Sequence, residues 1–143
     1  MITMVKARKL LIPLAFTCIF LIWGCATTPP VTVPYNPIFK CSFKEAWNAV
    51  LISLDECGVS LMEVDRENGW VAGVFKEWDK GTYAEYWIGV VINEVVQGEC
   101  RLFVTGSYKA DRSPVIGLVA EKYLKKRILK VQEAISRNLK ASM

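Results

Sequence analysis

VSLMEVDRENGWVAGVFK, residues 59–76, is the stretch whose reading decides the fold. Apolar runs rich in valine and aromatic residues flank Asn68-Gly69. An Asn-Gly pair between two such runs is a strong hairpin signal, because both central positions of a type I′ turn need positive φ. The reading is a strand over 59–67, a tight turn at Asn68-Gly69 and a return strand over 70–76. Downstream the pattern repeats: a polar turn over 77–82, a third strand over 83–91 with room to run further, a second polar turn over about 93–99, and a fourth strand over 100–109. Short connections between consecutive strands make an antiparallel meander.

Helical signals bracket the meander. Ser42-Phe43-Lys44-Glu45 is a capping box, in which the Ser hydroxyl accepts from the amide three residues on and the Glu reaches back. Phe43, Ala46, Trp47, Val50, Leu51 and Leu54 then make the stripe of a helix with one buried face, expected over 43–57 and ended by Gly58. After the fourth strand, Ser113 suits a cap and Pro114 the first helical position. Ala120, Leu124, Ile128, Val131, Ile135 and Leu139 recur at steps of 3 and 4, predicting a long second helix over 115–139. Each helix has one apolar stripe, so both pack most simply on one face of the sheet. The expected class is α+β: a two-layer sandwich, a four-stranded antiparallel meander with an N-terminal and a long C-terminal helix on one face. Residues 36–40 are a candidate for a fifth short strand.

That arrangement leaves the sheet's other face open. On the third strand Ala84, Tyr86, Ile88, Val90 and Ile92 share the side that meets the helices, while Glu85, Trp87, Gly89, Val91 and Asn93 share the other. On the fourth, Arg101, Phe103, Thr105 and Ser107 alternate with the inward residues. Trp87, Val91 and Phe103, with Arg101 at their rim, therefore make a candidate partner-binding patch, since a monomer rarely leaves such a patch without use. The competing reading is a third layer from the N-terminal segment, or a sheet that curls until the aromatics pack on themselves. Trp47, Trp70 and Trp78 read as core or rim.

The N-terminus carries an address. Lys6, Arg8 and Lys9 precede an apolar run over 10–23, about the length of a signal-peptide core and short of a spanning helix. The run closes on Leu21-Ile22-Trp23-Gly24-Cys25. This resembles the lipobox of bacterial lipoproteins: a branched apolar residue three before the Cys, a small residue just before it, then the Cys. The resemblance implies a signal peptide over 1–24, cleavage before Cys25, and acylation of its sulfur and new amino group. In lipoproteins of two-membrane bacteria an Asp after the Cys favours inner-membrane retention. Ala26 stands there, so the resemblance implies an outer-membrane protein facing the periplasm. Pro29, Pro30 and Pro34 make the following stretch extended and unpaired, so 25–41 is expected to be a lipidated tether and 42–143 a single domain.

Removing the leader changes the charge. The chain's net +4 falls to +1, with 15 basic against 14 acidic residues, which withdraws compositional support for nucleic-acid binding. What remains is polarised: residues 112–143 hold 8 basic and 2 acidic side chains. Lys122, Lys125, Lys126, Arg127, Lys130, Arg137 and Lys140 fall on the outer face of the second helix. Lys122, Lys126 and Lys130 are candidates to face anionic headgroups, against the alternative of a plain solvated face.

Catalysis has little to stand on. The chain has no His, no cysteine pair at metal-binding spacing and no phosphate-cradling glycine loop before a helix. Neither enzyme activity, cofactor nor metal is expected. Cys41, Cys57 and Cys100 remain besides Cys25, an odd number that allows one intrachain bridge at most. Cys41 and Cys57 flank the first helix, about 24 Å apart at 1.5 Å per residue, too far to join. Cys41–Cys100 is the candidate disulfide, against three buried free thiols.

The capped helix with Trp47, the strand, the turn Asp65-Arg66-Glu67-Asn68-Gly69 and the second strand resemble the small domains of NlpB/BamC-type outer-membrane lipoproteins over about 43–76. The resemblance implies an accessory subunit of outer-membrane protein assembly. The expected function is a membrane-anchored, non-catalytic interaction module that meets a protein partner or a second copy through its uncovered sheet face. The alternative is a carrier of a lipid or small apolar ligand gripped between helices and sheet.

Overall fold

The structure, a computed structural model, describes residues 30–33, 37–79, 82–110 and 114–142. Within these, the side chains of 76–79, 82–84, 110 and 114–117 are not described. The expected signal peptide, Cys25, the first part of the expected tether, and the polar residues 80–81 and 111–113 lie outside the described residues.

The elements in chain order are β1 (Val31–Thr32), β2 (Ile38–Phe39), α1 (Phe43–Glu56), β3 (Ser60–Asp65), β4 (Trp70–Asp79), β5 (Thr82–Val96), β6 (Glu99–Ala110) and α2 (Pro114–Ser142). The α+β class, the antiparallel meander and the two helices are as expected. The strand count is not: the sheet has six strands, ordered β1-β6-β5-β4-β3 with β2 also on β6. The two extra strands come from the N-terminal segment, and β2 lies within the candidate fifth strand at 36–40. Val31 and Thr32 pair with Gly106 and Thr105, and Ile38 and Phe39 pair with Arg101 and Cys100. The tether was expected to be unpaired, yet its 31–32 stretch is a strap along the β6 edge, with Val31 buried. Proline removes a donor only at its own position, so Val31 and Thr32 keep theirs.

Local signals held where the chemistry is local. Ser42 caps α1: its hydroxyl accepts from the Glu45 amide at 3.3 Å, and the Glu45 carboxylate accepts from the Ser42 amide at 2.7 Å and its hydroxyl at 2.8 Å. These bonds favour the charged form and lower the Glu45 pKa. The hairpin differs in detail. β3 ends at Asp65 and pairs it with Trp70, so four residues make the loop instead of two. Asp65 accepts from the Asn68 side chain at 2.7 Å and its amide at 3.1 Å, which lowers the Asp65 pKa. Gly69 carries a positive φ, +65°, and its carbonyl accepts from Ile92 of β5 at 2.8 Å. β5 is the longest strand at 15 residues and runs through most of the second expected polar turn, leaving a two-residue turn at Gln97-Gly98. Gly98 at φ +84° makes that turn possible.

The core lies between one sheet face and the two helices. Val71, Phe75, Tyr86, Ile88, Val90, Ile92, Cys100, Leu102 and Val104 meet Trp47, Val50 and Leu54 of α1 and Leu124, Ile128, Val131, Ile135 and Leu139 of α2. The fit is close: a Cβ on Gly106 would come within 2.9 Å of Leu124. Arg127 departs from expectation. Instead of facing outward, its guanidinium lies 4.5 Å from the centre of the Phe75 ring and donates to the Cys57 carbonyl at 3.1 Å. A cation there complements the negative end of α1. Arg137 pairs with Glu56 at 2.8 Å, and Asn138 donates to the Ser53 hydroxyl at 2.9 Å. These contacts tie the end of α1 to α2.

Candidate functional site

The sheet face opposite the helices is set by register. Trp70, Val91 and Phe103 stand side by side on β4, β5 and β6. Ala72, Gly89 and Thr105 form the next line, and Val74, Trp87 and Ser107 the one after. Arg101 closes the β6 end, between Asn93 and Ile38. Among the described residues no helix or strand lies over this face. Both short N-terminal strands sit edge-on to β6, not beneath the sheet.

The structure therefore brings Trp87, Val91, Phe103 and Arg101 together on one face. Trp87 is 37% exposed, and Val91, Phe103 and Arg101 are half-buried. The indole N–H of Trp87 donates to the Glu85 carboxylate two residues away at 2.9 Å. That satisfies the polar end of the ring within its own strand and leaves the apolar body to other contacts.

Trp70 is the residue the sequence reading missed. It stands in line with Val91, and its ring lies over Gly89 so closely that a Cβ there would collide with it. Ala72 and Val74, on the same face, are buried without joining the main core, with Trp70 and Trp87 as their neighbours on this side. The signal was in the sequence: the hairpin register makes Trp70, Ala72 and Val74 one alternation and pairs them with Val91, Gly89 and Trp87. Trp47, by contrast, is core, stacked on Phe43 at 5.9 Å between ring centres.

At the meander's outer edge β3 is exposed along most of its length, and among the described residues it pairs only with β4. Leu61, Met62 and Val64 remain exposed there. On the far side of the molecule Lys122, Lys126 and Lys130 are exposed at four-residue steps on α2. Lys125 is drawn aside to Glu121 at 2.7 Å.

Among the described residues the helix–sheet interface is closely packed. A gap lined by Pro37, Phe39, Leu102, Val104, Gln132 and Ile135 has a volume of about 10 Å³, little more than one water. Among the described residues no three His, Cys, Asp or Glu side chains gather to hold a metal, and no helix is long and apolar enough to cross a membrane. Cys41, Cys57 and Cys100 are all buried free thiols. Burial raises the pKa of each, most for Cys100, which is pushed up to about 11 by desolvation and then by the neighbouring Cys41.

No protein-family model matches the chain, and no curated protein matches it. Several solved structures are similar at low identity, three of them as follows. The adenylate sensor of AMP-activated protein kinase, bound to an aminoimidazole carboxamide ribofuranotide, is 18% identical, with 68% of this chain and 97% of that one covered, at a TM-score of 0.47. A protein from Thermus thermophilus is 15% identical over 80% of this chain and 99% of that one, at 0.46. A conserved protein from Geobacillus kaustophilus is 14% identical over 71% and 93%, at 0.36. At these TM-scores the likenesses carry no weight for the function.

Proposed function

We propose that the chain is a membrane-anchored lipoprotein whose folded body is a non-catalytic interaction module, docking a protein partner or a second copy on the uncovered sheet face. One observation carries the docking reading: Trp70, Val91, Phe103 and Trp87 form a continuous aromatic and apolar surface across three strands that no described element covers. Aromatic side chains supply much of the binding energy where proteins meet, and Arg101 at the rim adds a bidentate donor. The segment 21–25 supports the anchor and, with Ala26, a place at the outer membrane facing the periplasm. An accessory role in envelope or outer-membrane assembly fits that address. A carrier of lipid or small apolar ligand would need room between helices and sheet, and among the described residues Leu124, Ile128 and Ile135 are instead fully packed there. Docking is therefore the reading we adopt.

The test combines two measurements on wild type and Trp87→Ala. Sedimentation velocity reads self-association, and crosslinking in intact envelopes followed by mass spectrometry reads partners. Loss of a specific crosslinked species or of the dimer in the variant, with unchanged unfolding, supports the surface. An identical crosslinking pattern and sedimentation profile would remove its basis. The anchor is tested separately by the intact mass of the mature chain: an N-terminus other than acylated Cys25 overturns it.

A further inference from the structure

We propose that Cys41 and Cys100 are a redox-closable pair, forming an intrachain disulfide by exchange with a disulfide-bearing oxidant. The placement comes from the strap. Phe39, the last residue of β2, is the register partner of Cys100 on β6. The chain then turns back on itself, the Cys41 amide donating to the Phe39 carbonyl at 3.1 Å. That tight turn sets the Cys41 side chain beside Cys100, near enough for each thiol to perturb the other's ionisation. Both are buried in the helix-face core, Cys41 at 5% exposure and Cys100 at 0%. Two thiols set side by side by the strand register are placed to be joined, and a buried bond is shielded from reductant. Cys57 is excluded from the pair, since it caps the opposite end of α1 beside Arg127.

The exchange balances without a metal or other cofactor. Cys41, the more exposed thiol, loses its proton to solvent and attacks one sulfur of the oxidant's disulfide. The oxidant's second half leaves as a thiolate. Cys100 then loses its proton and attacks the Cys41 sulfur, displacing the first half. Two protein thiols are oxidised to one disulfide, and the oxidant takes up two electrons and two protons as a pair of thiols. Removing either proton inside the core is costly, so closure in the folded protein is slow at neutral pH and quickens as pH rises. The product joins the N-terminal strap covalently to β6, so that the two-residue β2 pairing no longer depends on its hydrogen bonds alone.

The experiment uses the full-length chain in detergent, with oxidised glutathione as the oxidant. After oxidation the protein is unfolded, alkylated without reductant, digested and mapped by mass spectrometry, for wild type and Cys57→Ser alike. The expected result is a peptide linking Cys41 to Cys100 in both proteins, loss of alkylation at those two positions only, and alkylated Cys57 in wild type. Adding reductant before alkylation should restore both. Recovery of Cys41 and Cys100 alkylated after oxidation, or a link from Cys57 to either, would overturn the proposal.

Discussion

The two faces of this sheet each set a glycine beneath a large side chain, with different outcomes. On the inner face Gly106 lies under Leu124, which is fully buried by the helix that carries it. On the outer face Gly89 lies under Trp70, a neighbour within the sheet, and Trp70 itself stays half-exposed. The inner face is a core in the ordinary sense, closed by elements distant in sequence. Among the described residues the outer face is closed only by its own strands. Its small residues are shaded by its large ones, and the rings present their remaining surface outward. Self-packing at that level explains how an uncovered sheet face stays ordered while keeping apolar area available.

The largest effects should separate the faces. Leu124→Ala empties a fully buried site and is expected to cost about 3 kcal/mol in urea denaturation. Trp87→Ala removes a ring that is more than a third exposed and should cost less than about 1.5 kcal/mol, with its main effect on association. Equal costs would make the outer face a second core and undo the docking reading. Next come the glycines. Gly106→Ala pushes a methyl against a packed leucine and is expected to destabilise by roughly 1–3 kcal/mol. Gly89→Ala meets first the far end of the Trp70 ring, a side chain that is itself half-exposed, so the loss should be smaller while the near-ultraviolet circular dichroism of the indoles changes. If Gly89→Ala proved the more destabilising of the two, Trp70 would be locked in place by something not seen on that face.

The same division runs through what was legible in the sequence. The inner stripe of α2 and the capping box of α1 are local patterns, and both are found as read. The parity of β5 and β6 placed Trp87, Val91 and Phe103 on the outer face correctly. What escaped depends on partners far along the chain. Val31 and Thr32 look like tether until β6 offers an edge to pair with. The residues 93–96 are polar enough to suggest a turn, yet β6 extends β5 through them. Arg127 sits between the buried and exposed sides of its helix, and only the end of α1 decides which way it turns. Trp70 was within reach, because the alternation of Trp70, Ala72 and Val74 along β4 sets its side, even though the hairpin closes with four residues where two were expected.

The inner face should also respond to alkaline pH. Cys100 is buried there with its pKa raised to about 11, and that of Cys41 beside it is also raised. The unfolded chain releases these protons at about pH 9 while the folded one still holds them. The reduced protein should therefore keep full stability below pH 9 and lose it as pH rises from 9 towards 11. The loss at Cys100 is on the order of 2 kcal/mol, at about 1.4 kcal/mol per pH unit. A Cys41→Ser, Cys100→Ser double variant should show a flatter profile of urea midpoint against pH over that range. The oxidised wild type should flatten likewise, since a disulfide has no proton to lose. A slope unchanged in both would mean that other groups set the alkaline limit.

The smallest expected change in stability belongs to the surface opposite the aromatic face. Lys122, Lys126 and Lys130 are exposed on α2, so replacing all three by Gln should move the unfolding free energy by no more than about 0.5 kcal/mol. Their proposed role is with anionic headgroups, each contributing up to about 1 kcal/mol near a charged surface. Cosedimentation with vesicles containing phosphatidylglycerol should then weaken by several-fold per lysine, and the binding should fall with added salt. Trp87→Ala should leave it untouched, because that ring is on the opposite side of the sheet from α2. Equal binding to uncharged phosphatidylcholine vesicles, or a triple variant that binds as wild type does, would reduce this helix face to a solvated surface. The two outer sides of the sandwich would then differ in kind: one for docking, the other for solubility alone.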